Sequence, residues 1–270
     1  DTVMKPLVSI IITNYNYGAY IAEAIESALA QTFADREIIV IDDSSTDNSL
    51  EIASRYPVQI LKQDNSGVCV ARNNALSIAL GTYVIFLDAD DRLVPTAVEH
   101  MLAALQGQPD TIAYVYGQMR YFGRKEGVFA SMPFDGRRLV RANFICASTL
   151  IRRDTLLSVG GYDDGFRMLR EDWELYIRLF TKGFSGQFLP EVILEYRKHK
   201  EPTGNTTRRV KALSIAKLFY LYPSLIWRLF IRHPLRYTYY MIKGKAWSSV
   251  RDYGDKAELH GLRVVKDIKS

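Results

Sequence analysis

Apolar positions in the first part of the chain fall into alternating short runs and helical stripes. Residues 8–13 (VSIIIT) form a nearly unbroken apolar run, the pattern of a parallel strand covered on both faces. Residues 20–31 then place Ile21, Ala24, Ile25, Ala28 and Leu29 at helical spacing. A second apolar run, residues 37–41, ends in the polar string Asp42-Asp43-Ser44-Ser45-Thr46-Asp47. Thr46 or Asp47 is expected to cap a helix running through Tyr56. Residues 58–61 read as a short third strand, and residues 67–80 as a helix ended by Gly81. A fourth strand, residues 83–87, runs straight into Asp88, Asp90 and Asp91. Strand and helix alternate throughout, which predicts a parallel, doubly wound sheet.

The pattern changes afterwards. Residues 112–121 and 146–151 read as strands. Residues 123–141 are polar, aromatic and glycine-bearing with few core signals, which predicts a mobile loop over a site. Gly160-Gly161 marks a tight turn. Glu171-Asp172 then opens a helix with Trp173, Tyr176, Ile177 and Phe180 at helical spacing. Carboxylates in a first turn are stabilised by the helix dipole, so capping alone accounts for such a pair.

Chemistry-bearing side chains collect at strand ends. Thr13 and Tyr15, Asp42 and Asp43, and Asp88, Asp90 and Asp91 all follow strands, and those ends fall on one edge of a parallel sheet. Ligands of open α/β sheets sit at that edge. An aromatic ring beside a carboxylate suits a nucleobase and ribose. Three carboxylates within four positions repel unless protonated or joined by a cation, and their oxygens suit Mg²⁺ or Mn²⁺. No G-x-G-x-x-G follows the first strand and no G-x-x-x-x-G-K-[ST] occurs, which argues against a dinucleotide enzyme or a P-loop NTPase.

Composition adds two points. The 270 residues include only two cysteines, Cys69 and Cys146, so no disulfide framework is expected, in keeping with a reducing cytoplasm. Neither a secretory leader pattern nor an apolar run of transmembrane length is seen. Charge is divided unevenly: residues 208–270 hold fourteen Lys/Arg and four Asp/Glu, a net of +10, whereas residues 1–207 carry −5. Residues 210–231 are apolar but interrupted by Lys211, Lys217, Pro223 and Arg228. With Pro234 they predict short helices carrying alternating aromatic and basic residues. Such a tail suits an anionic membrane surface, packing on its own catalytic domain or a homodimer; nucleic acid is not expected.

The motifs, taken together, resemble the family 2 glycosyltransferases. The resemblance lies in residues 8–16 (VSIIITNYN), 28–33 (ALAQTF), 37–47 (EIIVIDDSSTD), 67–73 (GVCVARN) and 86–91 (FLDADD). It continues through Gly160-Gly161-Tyr162-Asp163, residues 170–174 (REDWE) and Tyr196-Arg197-Lys198-His199. It implies a GT-A fold in residues 1–207, with a nucleotide-sugar-binding half (1–110), an acceptor half (111–207) and a helical extension (208–270). It implies a nucleotide-sugar donor, usually UDP-linked, held by Thr13, Tyr15 and Asp43 at base and ribose, with Arg72 near the base or diphosphate. Asp88 and Asp90 match the D-x-D motif, Asp88 toward ribose or metal and Asp90 as the main ligand of Mn²⁺ or Mg²⁺. His199 matches a late histidine that ligates metal or contacts the diphosphate. Asp172 matches the catalytic base, with Glu171 and Trp173 supporting it or meeting the acceptor.

The implied reaction is inverting transfer of a hexosyl or N-acetylhexosaminyl group to a hydroxyl of a glycan or lipid-linked acceptor. The setting would be surface polysaccharide synthesis at the inner face of the cell membrane. A sugar hydroxyl needs a positioned base to become a competent nucleophile, which is the role open to Asp172. Two other readings share the nucleotide site. A catalytically silent sugar-nucleotide-binding protein would not need Asp172. A nucleotidyltransferase would usually carry a basic, glycine-rich loop, whereas residues 14–18 (NYNYG) contain no basic residue.

Overall fold

The computed structural model describes residues 5–129, 131–140, 142–166, 170–199, 213, 216–218 and 220–223. The chain divides into two compact units, Asp1–Leu221 and Tyr222–Ser270. Almost all of the second unit, and with it most of the basic tail, lies outside the described residues.

The first four strands follow the expected order. β1 (Val8–Asn14), β2 (Arg36–Asp42), β3 (Gln59–Lys62) and β4 (Tyr83–Asp88) are parallel, in the spatial order β3-β2-β1-β4. Ile10, Ile11 and Ile12 of β1 are fully buried, so both faces of the strand are covered. Each such side chain contributes about 1.5–3 kcal/mol by leaving water. The connecting helices are α1 (Ile21–Leu29), α2 (Ser49–Ala53) and α3 (Val68–Ile78). α2 is shorter than expected and has no side-chain cap bond from Asn48; the Asp47 carboxylate instead accepts from the backbone of Ser49 and Gly18.

Gly81 does not end a helix. α3 stops at Ile78 because Ala79 is extended. Gly81 is small because a Cβ there would lie 2.5 Å from Ser9 N, and its own N–H donates to Ser9 Oγ at 2.9 Å.

The sheet then becomes mixed. β5 (Arg92–Leu93), α4 (Ala97–Leu105), β6 (Ile112–Gly123), β7 (Gly127–Phe129), α5 (Gly136–Leu139), β8 (Leu150–Arg152), α6 (Arg153–Ser158), α7 (Glu171–Thr181) and β9 (Ser185–Lys198) follow in order. β8 pairs antiparallel with β4 and with β6, joining the new strands to the old sheet. β9 runs parallel to β6 and closes on β5, giving the order β3-β2-β1-β4-β8-β6-β9-β5 with β7 on β6. Between the carboxylates that end β4 and helix α4, the chain therefore contains a short strand that no periodicity marks.

Two further expectations need correction. The strand predicted at residues 146–151 begins only at Leu150. Before it, Asn143 Oδ1 accepts from Ile145 N and Thr149 Oγ1 bonds Tyr176 Oη, so side chains and not a ladder hold this backbone. Residues 123–141 are not core-poor. Asp135 caps α5 by accepting from Arg137 N and Arg138 N, Leu139 is buried, and Phe134 packs on Tyr114 and Phe180.

Among the described residues no helix is long and apolar enough to cross a membrane. At residues 213–221, Lys217 Nζ donates to Gly165 O at 2.6 Å and lies over the Phe166 ring, while Leu218 is buried. Both cysteines are buried free thiols, pushed up to about 12 by burial.

Candidate active site

The site forms where β1, β2 and β4 end. Asn14, buried at the end of β1, donates to Asp42 Oδ1 at 2.6 Å and to Ser49 Oγ at 2.9 Å, tying the end of β2 and the start of α2 to it. Asn16 holds a left-handed conformation (φ 58°), and its Oδ1 accepts from Thr46 N at 2.8 Å. These bonds leave Tyr15 projecting, with 46% of its surface exposed. Asp43 is buried and accepts from Gln63 Nε2, Ser66 N and Gly67 N at 2.7–2.8 Å. It therefore anchors the entry to α3 as well as lining the strand edge.

Three of the sequence-selected residues meet at Asp88. Thr13 Oγ1 donates to Asp88 Oδ1 at 3.2 Å, and Arg72 Nη2 donates to the same oxygen at 3.0 Å. Arg72 is buried, and its Nη1 donates to Glu171 Oε1 at 2.9 Å. Its guanidinium stacks on Tyr162, 4.9 Å from the ring centroid. Burial opposes its charge, but Tyr162, Asp88 and Glu171 more than compensate and hold it protonated.

Asp90 and His199 form a second pair. His199 Nε2 lies 2.7 Å from Asp90 Oδ2, and the Tyr20 ring meets the imidazole edge at 5.1 Å. Burial raises the Asp90 carboxyl above its usual range and the Asp88 charge adds to this, against the hydrogen bond from His199. Asp91 points elsewhere: it is buried and accepts from Arg197 N at 2.8 Å. The three carboxylates are thus not equivalent, and among the described residues no group of three or more His, Cys, Asp or Glu gathers in a metal-binding arrangement. Arg197 was given no role from sequence. Its Nε donates to Asp90 O at 2.9 Å and its Nη2 to Glu23 at 2.7 Å, so it braces the turn from outside.

α7 supplies the third part. Its first turn carries Glu171, Asp172 and Glu174, and its last turn Arg178. Arg178 grips Glu174 through Nε at 3.0 Å and Nη2 at 2.9 Å, and donates to Gly161 O at 2.7 Å. Asn73, next to Arg72 on α3, accepts from Tyr162 N and donates to Tyr162 O, each at 2.8 Å. Gly161 (φ 67°) is required beside Asn73, where a Cβ would collide with the amide. So α3 grips the chain leading into α7 and brings Glu171 and Asp172 to the strand edge. Trp173 is buried, its indole N–H donating to Leu139 O at 2.6 Å; it fixes α7 against α5.

Asp172 is partly exposed. Its Oδ1 accepts from Trp173 N at 2.7 Å and its Oδ2 from Asn143 Nδ2 at 2.9 Å. Burial raises its carboxyl above the usual range, opposed by the Trp173 N–H and by Arg72 and Arg170. Glu171 is raised for the same reason, against Arg72. Sequence reasoning missed Asn143, since nothing local distinguishes it in an irregular stretch.

Comparison with known proteins decides the family. The family described as Glycosyl transferase family 2 matches residues 9–175. The chain belongs to the family 2 glycosyltransferases. It is 33% identical over 204 residues to WfaP of Escherichia coli, a UDP-Glc:alpha-D-GlcNAc-diphosphoundecaprenol beta-1,3-glucosyltransferase; the match covers 72% of this chain and 78% of that protein. It is 31% identical over 204 residues to TuaG of Bacillus subtilis, a putative teichuronic acid biosynthesis glycosyltransferase, covering 72% and 79%. Among solved structures it resembles S. aureus TarS 1-349 (TM-score 0.61, 23% identity, 72% of this chain and 60% of that one). It also resembles the Pyrobaculum calidifontis mannosyltransferase PcManGT in complex with GDP-Man and Mn²⁺ (TM-score 0.66, 18% identity, 97% and 78%). The fold is GT-A, as the resemblance to the family implied.

Proposed function

We propose that this family 2 member transfers a hexosyl or N-acetylhexosaminyl group from a UDP-sugar to a hydroxyl of a glycan or lipid-linked glycan, with inversion, during surface polysaccharide synthesis. The observation that carries this reading is the Asp88–Arg72–Glu171 bridge, which sets Asp172 beside the strand edge where a nucleotide diphosphate would lie. WfaP, by its name, uses UDP-Glc and a lipid diphosphate acceptor, and TarS has been crystallised with UDP-GlcNAc.

Thr13, Tyr15 and Asp43 are assigned to the uridine, and Arg72 and Asp88 to the ribose and diphosphate side. Asp90 and His199 would hold a hard divalent cation: a largely buried carboxylate oxygen 2.7 Å from an imidazole nitrogen gives two donors of the kind Mn²⁺ or Mg²⁺ accepts, and the donor's phosphate oxygens would supply others. When bound, such an ion neutralises charge on the leaving diphosphate. Asp172 takes the proton of the acceptor hydroxyl as its oxygen attacks the anomeric carbon; the bond to the diphosphate oxygen breaks on the opposite face, and UDP departs. Glu171, held by Arg72, keeps α7 in register with the donor side. Residues 1–207 are assigned to catalysis, and the basic tail to anionic lipid at the inner membrane face.

The test is UDP release from UDP-glucose and UDP-N-acetylglucosamine, with Mn²⁺ or Mg²⁺, with and without sugar-diphospholipid acceptors. Acceptor-stimulated release giving a β-linked product from the α-linked donor is expected. Donor binding without turnover, unchanged by Asp172→Asn, would assign the chain as a silent binding protein.

A further inference from the structure

Asn143 sits between α5 and β8, and no motif marks it. Its amide is fixed at both ends. The oxygen accepts from Ile145 N at 3.1 Å, which turns the NH₂ group toward α7, where it donates to Asp172 Oδ2 at 2.9 Å. Trp173 N holds the other carboxylate oxygen. Asp172 is thus clamped by two N–H donors from different segments, one at its own helix start and one from the chain that follows α5.

We propose that Asn143 is a positioning residue for the base, orienting the Asp172 carboxylate and favouring its ionised form. This rests on Asp172 being the base. The geometry gives Asn143 two tasks. A carboxylate held only through Trp173 N is free to turn about its side-chain torsions, and a base must meet the acceptor hydroxyl within hydrogen-bond reach. A donated hydrogen bond to the anion also lowers a carboxyl pKa, and burial here pushes the other way. The other charged and titratable groups near Asp172 are Arg72 on α3, Asp88 at the end of β4, Glu171 and Arg170 on its own segment, Cys146, Tyr162 and Tyr176. All are unchanged by substitution at position 143.

The deciding variant is Asn143→Asp. It is nearly isosteric and keeps an acceptor for Ile145 N, so the local backbone bond survives, but the donor to Asp172 is replaced by a second carboxylate. Asn143→Ala removes the donor without adding charge. The first readout needs no substrate: the Asp172 carboxyl is titrated by ¹³C NMR in aspartate-labelled protein and assigned by its loss in Asp172→Asn. The Asp172 titration is expected to move upward in Asn143→Ala, and further in Asn143→Asp. The second readout is UDP release from UDP-glucose with a sugar-diphospholipid acceptor. There kcat is expected to fall about tenfold or more with donor KM unchanged, and the acid limb of the kcat profile to shift in step with the carboxyl titration.

An Asp172 titration unmoved in both variants, with both folded, overturns the proposal. So does a wild-type kcat profile in Asn143→Asp when Asp172→Asn is inactive, since the base then works without its clamp. Near-normal turnover by Asp172→Asn would instead remove the base assignment itself, which separates the two failures.

Discussion

Arg72 Nη1 lies 2.9 Å from Glu171 Oε1, joining residues 99 positions apart in the chain. The same guanidinium holds Asp88, so the donor-side strand end and the start of α7 share one buried cation. Removing one member of a buried ion pair leaves uncompensated charge and costs about 3–5 kcal/mol. Arg72→Ala is therefore expected to lower Tm by roughly 6–20 °C and to weaken UDP binding. Arg72→Lys keeps the charge but loses the fork that spans two carboxylates, so it should fall between. An unchanged melting curve for Arg72→Ala would show that the bridge contributes no net stability.

Asp90→Asn keeps the size of the side chain and its hydrogen bond to His199 while removing a carboxylate. Calorimetry with UDP is expected to show Mn²⁺-dependent affinity falling at least tenfold, with metal-independent affinity little changed. Equal metal dependence in the folded variant would exclude Asp90 as a ligand.

Asp172→Asn should bind UDP within a few-fold of the parent and lose about 10²–10⁴-fold in kcat. The pH dependence has a definite sign. A base works only when ionised, and burial raises the Asp172 carboxyl above the ordinary 3.8. Activity should then be lost as pH falls through that raised value, so the acid limb of kcat lies above the position of a free aspartate. A limb at or below that position would contradict the burial argument.

Gly81→Ala tests the close approach of the chain entering β4 to the start of β1. Its Cβ would meet Ser9 N at 2.5 Å and Tyr83 O at 2.8 Å, both backbone atoms that cannot swing aside. A loss of about 1–3 kcal/mol is expected, read as a lower urea midpoint at constant slope. A parental midpoint would mean that the strands separate at little cost.

The basic tail is tested in the full chain. Attraction to anionic lipid contributes about 1 kcal/mol per basic residue near the surface. Replacing Arg232, Arg236, Lys243 and Lys245 with Glu should reduce co-sedimentation with phosphatidylglycerol vesicles at least tenfold, and high salt should release part of the parent protein. If the parent ignores such vesicles at low salt, the membrane assignment fails.

The sequence by itself determined the parallel half of the fold. Residues 8–13, 37–41 and 83–87 are apolar on both faces, a pattern only a covered strand satisfies, and each ends in the polar residues that build the site edge. It also placed Glu171-Asp172 at a helix start, because the stripe of Trp173, Tyr176, Ile177 and Phe180 begins there. Tertiary structure alone decided the partners. Asp88, Asp90 and Asp91 look alike in sequence, yet one meets Arg72, one His199 and one the backbone of Arg197. Likewise β5 is a strand only because β9 returns beside it, and Asn143 matters only because the chain after α5 folds onto α7. The physical reason is range. Periodicity records which face of an element leaves water, a property of neighbouring residues, whereas a polar side chain takes its role from a partner that only the completed fold brings within about 3 Å.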